Sequence, residues 1–273
     1  MHGCDKISEM AARMQAARAK GRQIPPFSSV YEGFDIRSAY EVADQLHRER
    51  LESGDIPLGR KIGFTNPDMW PLFGVDAPVW AHVYQSTVVQ MTSDSHVCSL
   101  GGFFEPRIEP EIILHFGKAP PVSEDPQAIL DSVDWISHGI EIVQCHFPGW
   151  QFKAPDTIVD LALHATLLVG QRVDVREFGP DLLTQLEHFS LELWHDETCR
   201  EQGRGSNVLG SPLRAAAHLT KVLAAQPASV PIQAGDIVTT GTITRPCPIQ
   251  PGENWKTVVR GISLPGLSIE FTT

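Results

Sequence analysis

Twenty-one prolines and 22 glycines, scattered along 273 residues, keep cutting this chain into short segments. Proline ends helices and glycine weakens them, so a bundle of long helices is excluded. Between the breaks lie β-prone apolar runs of strand length, at residues 87–91, 108–116, 136–143, 167–169, 189–194 and 237–242. Helical spacing dominates only near the start. Residues 7–22 place Met10, Ala11, Met14 and Ala17 on one face, and residues 35–53 do the same with Ala39, Val42, Ala43, Leu46 and Leu51. Shorter helices are expected at 126–134, 157–165 and 213–225, the last with Ser211 as N-cap and Pro212 in its first turn. The pattern predicts an α+β protein, with a helical N-terminal portion (1–57) packed on a β-rich body (58–273).

Charge and cysteine usage narrow the function classes. A net charge of −11 lacks the concentrated Lys and Arg of a nucleic-acid surface, so no nucleic acid is expected as partner. No stretch approaches the roughly 20 unbroken apolar residues of a membrane helix, so no membrane partner is expected either. The start, MHGCDKISEM, lacks the basic and apolar runs of a secretory signal. Five cysteines (Cys4, Cys98, Cys145, Cys199 and Cys247) contain no C-x-x-C pair. That argues against a disulfide framework or a cysteine zinc site, and points to the cytoplasm.

The chemistry concentrates in the segment from Glu105 to Phe116. On a strand, Glu109 and Glu111 project to one side, within about 7 Å of each other. Two such carboxylates repel, and burying both is costly unless a cation lies between them. Pro110 between them cannot donate a ladder bond, which predicts an edge or irregular strand. Glu141 adds a third acid inside an otherwise apolar strand, where a lone carboxylate needs a partner. Three glutamates with no cysteine favour Mg²⁺ or Mn²⁺. A solvated strand face is the competing reading, and spacing leaves both open.

Other segments are weaker signals. Lys61, between small and apolar neighbours, is either an acid/base or oxyanion partner or an ordinary strand-start lysine. Gly203–Gly210 is glycine-rich without a P-loop ending, and reads as a turn before a helix. His138 and Glu141, three apart on a strand, point to opposite faces, against a histidine-containing iron site.

Four motifs in order, Gly-Arg-Lys61-Ile-Gly, Pro-Arg-Ile-Glu109-Pro-Glu111-Ile, His-Gly-Ile-Glu141-Ile-Val and Ala-Gly-Asp236-Ile-Val-Thr-Thr-Gly-Thr242, resemble the fumarylacetoacetate hydrolase superfamily. The resemblance is nearest to its 2-oxopent-4-enoate hydratase and 4-oxalocrotonate decarboxylase branch. It implies a mixed β-roll body, a Mg²⁺ or Mn²⁺ site on Glu109, Glu111 and Glu141, and Lys61 as the active-site lysine. It further implies a homo-oligomer, with a related pathway enzyme as a further partner, and small 2-oxo or 2-hydroxydienoate acids as substrates. The implied reaction is that of a metal-dependent lyase, hydration first, with vinylogous decarboxylation and C–C hydrolysis of an acylpyruvate as alternatives. A non-catalytic partner of a related enzyme is the reading from another class.

Two departures from the family pattern stand out. Where relatives place an ionising Asp after a Gly-Val-Asp76-Ala-Pro-like run, the nearest match is Gln85, left as a substrate-binding candidate. Where relatives carry Asp-Asn-Ala-Ser, this chain reads Asp160-Leu-Ala-Leu163, followed by His164. His82 and His164 are therefore the candidates for the displaced acid/base task, with His164 expected on the 157–165 helix. For both, a structural histidine is the alternative.

Overall fold

The structure is a computed structural model that describes residues 3–226 and 229–273. Helices α1 (Gly3–Ala19), α2 (Phe27–Val30) and α3 (Ile36–Glu52) open the chain. There follow β1 (Pro57–Gly63), one-turn α4 (Trp70–Phe73), β2 (Val79–Tyr84), β3 (Val88–Gln90), β4 (Ser95–Ser99) and β5 (Arg107–Phe116). The middle comprises α5 (Pro126–Leu130), β6 (Val133–Val143), α6 (Ala154–Val159), β7 (His164–Val169), β8 (Val173–Asp174) and α7 (Leu182–His188). Last come β9 (Ser190–His195), β10 (Thr198–Arg204), α8 (Pro212–Ala225), β11 (Ile237–Thr239), β12 (Cys247–Pro248), β13 (Asn254–Arg260) and β14 (Ser268–Thr272).

Two mixed sheets form the body, in keeping with the α+β expectation. The larger runs β2-β1-β11-β5-β6-β7-β3, with β12 on β5 and β8 on β6; the smaller runs β10-β9-β13-β14-β4. Pairs β1–β11, β3–β7 and β4–β14 are parallel and the rest antiparallel. Ile108, Ile112 and Leu114 of β5 and Ile140 and Ile142 of β6 share one core with Leu191, Leu193, Trp255 and Phe271 of the smaller sheet. Each such side chain, fully buried, contributes about 1.5–3 kcal/mol. The alternation that commits these residues to the core turns Glu109, Glu111 and Glu141 to the other face.

That other face is covered at one end by the N-terminal helices. Met10, Met14 and Ala17 of α1 and Ala39, Val42 and Leu46 of α3 pack in one cluster with Val79 and Ala81 of β2 and Val143 of β6. The helix starts follow local rules. Asp35 caps α3 by accepting from Ser38 N–H, and Ser211 caps α8 by accepting from Arg214 N–H, with Pro212 following. Among the described residues, no helix is long and apolar enough to cross a membrane. Cys98, Cys145, Cys199 and Cys247 are free thiols, while the side chain of Cys4 lies outside the described residues.

Three local expectations are corrected. The helix expected at 157–165 stops at Val159, and His164 begins a strand. Between them Leu161, Ala162 and Leu163 all have positive φ (53°, 49° and 67°), so the backbone reverses rather than continuing a helix. The helix expected at 126–134 ends at Leu130, because β6 already starts at Val133 to pair with β5. Pro110 lies in an interior strand, not an edge. Its carbonyl accepts from Ile243 N–H, so its missing donor faces the irregular stretch between β11 and β12 and no bond to β6 is lost.

Candidate metal centre

The β5–β6 ladder brings the three acids together. Glu109 lies directly opposite Glu141, while Glu111 faces Gly139, two positions along. One carboxylate oxygen from each of the three falls within 4.8 Å of the others. Glu111 and Glu141 are fully buried, and Glu109 faces a cavity lined by Lys61, Gly63, Phe64, Phe73, Trp150 and Thr242. The cross-strand register decides this geometry, because residues directly opposed on an antiparallel pair hold their side chains together on one face.

Donors surround Glu111 and Glu141. Lys61 Nζ is 2.9 Å from Glu141 Oε2 and donates to Ala162 O at 2.9 Å. His164 Nδ1 is 2.6 Å from Glu141 Oε1, and its Nε2 is 2.8 Å from Thr87 Oγ1. Glu111 Oε2 accepts from the Thr239 hydroxyl and, at 2.9 Å, from Gly241 N–H. Gly241 has φ +99°, and a Cβ there would fall 1.8 Å from Thr65 Oγ1, so glycine is required to aim that N–H.

The Ala162 carbonyl is held by an unusual support. Asp160, just before the left-handed turn, is buried and binds Arg18 Nη2 at 2.8 Å and His146 Nδ1 at 2.9 Å. Left-handed non-glycine residues cost of order 1–3 kcal/mol each, so three in succession persist only where their surroundings fix them. Arg18 comes from α1, so the N-terminal helices take part in placing Lys61's partner.

Two oxygens of these acids, Glu111 Oε1 and Glu141 Oε2, are buried without a hydrogen-bond donor of good geometry. Electrostatics says the same. Burial and the neighbouring carboxylates push Glu109 up to about 7 and Glu111 well above the usual range, even against Lys61. Burial also opposes ionisation of Glu141, but the Lys61 ammonium and the His164 hydrogen bond together hold it down at about 2. Burial likewise opposes the charge on Lys61, yet the three glutamates outweigh it and keep the ammonium. Acids that repel one another around the unpartnered Glu111 Oε1 fit a hard divalent cation as a fourth member of the cluster.

The remaining candidates lie elsewhere. His82 pairs with Arg60 on β2, on the face of the sheet opposite Lys61. Its ring stacks on His47 at 3.6 Å, and burial pushes it down to about 2. Gln85 is exposed in a turn, and the residue from that turn that reaches the site is Thr87. On β2 the positions facing the Lys61 side are Val79, Ala81 and Val83, none of them ionisable. His164 joins the acids as a partner of Glu141, from a strand rather than a helix. His138 points to the opposite face, bonding Glu111 O and Thr257 Oγ1. Thr239, Gly241, Ala162 and Thr87 were not singled out in the sequence. The Thr-Thr-Gly-Thr242 run was the available signal for the first two, whereas a backbone carbonyl in a turn leaves none.

Residues 71–264 match the C-terminal family of fumarylacetoacetate (FAA) hydrolase. The chain belongs to this family. Among its relatives, 2-keto-4-pentenoate hydratase 2 of Dechloromonas aromatica (strain RCB) is 30% identical over 253 residues, covering 92% of this chain and 93% of that one. A 4-oxalocrotonate decarboxylase of Pseudomonas sp. is 26% identical, covering 98% of each. The solved 4-oxalocrotonate decarboxylase of Pseudomonas putida G7, complexed with magnesium and adipate, superposes with TM-score 0.87 over 98% of this chain and 97% of that one, at 22% identity. The FAA hydrolase family member described here thus shares its fold with that enzyme along nearly its whole length.

Proposed function

We propose that the protein is a metal-dependent lyase that hydrates a small 2-hydroxydienoate or 2-oxo acid. The observation that carries this reading is a buried ammonium, Lys61, locked beside a triad of glutamates that each place one oxygen within 4.8 Å of the others. The relatives named as hydratases support it. Glu109, Glu111 and Glu141 would hold Mg²⁺ or Mn²⁺. The bound cation supplies Lewis-acid polarisation of the substrate's carboxylate and 2-oxygen.

This chain's residues then have separable tasks. Lys61 stabilises negative charge at the enol oxygen, where its fixed ammonium is already in place before charge develops. The enol O–H proton leaves and the terminal diene carbon gains one, giving a conjugated 2-oxo acid; water then adds across its C3–C4 bond, so the net change is gain of one H₂O. Phe64, Phe73 and Trp150 line the opening and exclude bulk water. His164 orients Glu141 rather than meeting substrate, because both its nitrogens are engaged within a buried site. Lys61, held as an ammonium, can donate a proton but not accept one, and His82 takes no part.

A second reading, vinylogous decarboxylation, is favoured by the full-length relative and the superposition. Carbon–carbon hydrolysis has less support, since the only Glu–His pair among the described site residues uses the proposed metal ligand Glu141. Cytoplasmic location and a homo-oligomer accompany the reading. The test is turnover of 2-hydroxypenta-2,4-dienoate with Mg²⁺, with the product read by NMR. A 4-hydroxy-2-oxo acid supports hydration, release of CO₂ from 4-oxalocrotonate supports the second reading, and no turnover on either leaves C–C hydrolysis of an acylpyruvate or a non-catalytic partner.

A further inference from the structure

Arg107 lies on β5 two residues before Glu109, so it shares the face that carries the glutamates. Its Cα stands about 7 Å further along the strand. It is half-buried, with its guanidinium carbon over the Trp150 ring, 3.8 Å from the ring centre, and 5.9 Å from the Phe73 ring centre. Among the described residues it has no hydrogen-bond acceptor and no ion-pair partner. Glu105 lines the same cavity as Arg107 without forming an ion pair with it; its Oε1 accepts from Gly149 N–H at 3.0 Å and Gln23 Nε2 at 2.8 Å.

Trp150 lines both the cavity holding Lys61 and Glu109 and a neighbouring cavity of about 500 Å³ that contains Arg107. The two cavities therefore adjoin at Trp150, with Arg107 on the side of the second. A guanidinium offers five donors, and stacking on an indole satisfies none of them. Held rigid by that stack, its fork is pre-organised for a planar anion, and a carboxylate is the planar anion it matches bidentately.

We infer that Arg107 and Trp150 form a second anchoring subsite, which selects 2-oxo acids carrying a carboxylate at the end remote from the metal centre. This rests on the proposed function only in placing the 2-oxo acid end at Lys61 and the glutamates. The separation along β5 suits a short-chain diacid lying across the two cavities. It also bears on the reaction, because a far carboxylate stabilised as an anion is opposed in leaving as CO₂. The subsite thus goes with hydration of a diacid.

The test is calorimetric titration of the Mg²⁺-loaded protein with 2-oxohexanedioate and with 2-oxohexanoate, which differ in the far carboxylate. The wild type should bind the diacid at least about tenfold tighter, the factor carried by one charge-assisted hydrogen bond. Arg107→Met keeps the length of the side chain and should abolish that preference; Arg107→Lys, which keeps charge without the fork, should retain part of it and guards against misfolding of the first variant. Equal loss of affinity for both acids would overturn the inference, leaving Arg107 as a counter-charge to Glu109, and so would an unchanged preference. Diacid preference without turnover on any dienoate removes the lyase reading and keeps the subsite. Binding of neither acid removes both.

Discussion

Glu141 Oε2 lies 2.9 Å from Lys61 Nζ in a site where both side chains are almost wholly shielded from water. The two come from strands that do not neighbour each other, with β11 and β5 between them. The pair keeps the ammonium charged and one glutamate ionised, so a cationic group is ready beside the remaining acids.

Lys61→Met should lower kcat by roughly a hundredfold or more, the size of effect seen when a fixed charge-stabilising donor is removed. KM at saturating Mg²⁺ should change far less, because the lysine's contribution grows with charge on the enol oxygen. Steady-state kinetics checks this. A loss confined to KM reduces Lys61 to a carboxylate anchor.

Metal affinity should depend on pH through Glu109. Its pKa near 7 is raised from 4.5, so the metal-free folded protein holds that proton below about 7 and must release it on binding. Mg²⁺ affinity should then fall as pH drops through about 7, approaching tenfold per unit for the Glu109 proton, with a further loss from Glu111, whose carboxyl is also held well above its usual range. Titrations in buffers of different ionisation heat measure the protons released, and Glu109→Gln should release fewer. Affinity that is flat between about pH 6 and pH 8 contradicts a shared carboxylate site.

Replacing His164 with Asn should weaken Mg²⁺ binding by about 10–100-fold, the usual cost of losing a hydrogen bond that orients a metal ligand. Turnover should recover in large part at high Mg²⁺. If metal affinity is unchanged while one limb of the pH–rate profile disappears, His164 is itself an acid or base.

His82→Asn should leave turnover near wild type and alter acid stability instead. Burial holds the folded imidazole at about 2, whereas the unfolded one protonates near 6.5. Below 6.5 the unfolded state takes up the proton first, so stability is lost as pH falls, by at most about 1.4 kcal/mol per unit. The variant should lose less. Urea midpoints between about pH 7 and pH 4 test it, and a large fall in kcat with an unchanged midpoint slope would return His82 to the reaction.

The sequence by itself determined which residues could meet. Strand alternation placed Glu109 and Glu111 on one side, an acid in an apolar run marked Glu141, and Gly and Pro punctuation excluded a helical bundle. The ordered motifs carried the family, whose match covers residues 71–264. These are local properties, readable because a strand's two-residue period is fixed by backbone geometry. What only the tertiary structure decided was register and face. Glu141 opposes Glu109 through pairings spread along the whole β5–β6 ladder, and a slip of one residue would turn either acid into the core. The same holds for the histidines. His82 and His164 look alike as isolated residues, yet β2 turns one away from Lys61 while a left-handed turn at Leu161–Leu163 starts β7 early and brings the other to Glu141. That turn has no glycine to announce it. It is fixed by Arg18 and His146 on Asp160, contacts 142 and 14 residues apart in sequence that no local pattern encodes.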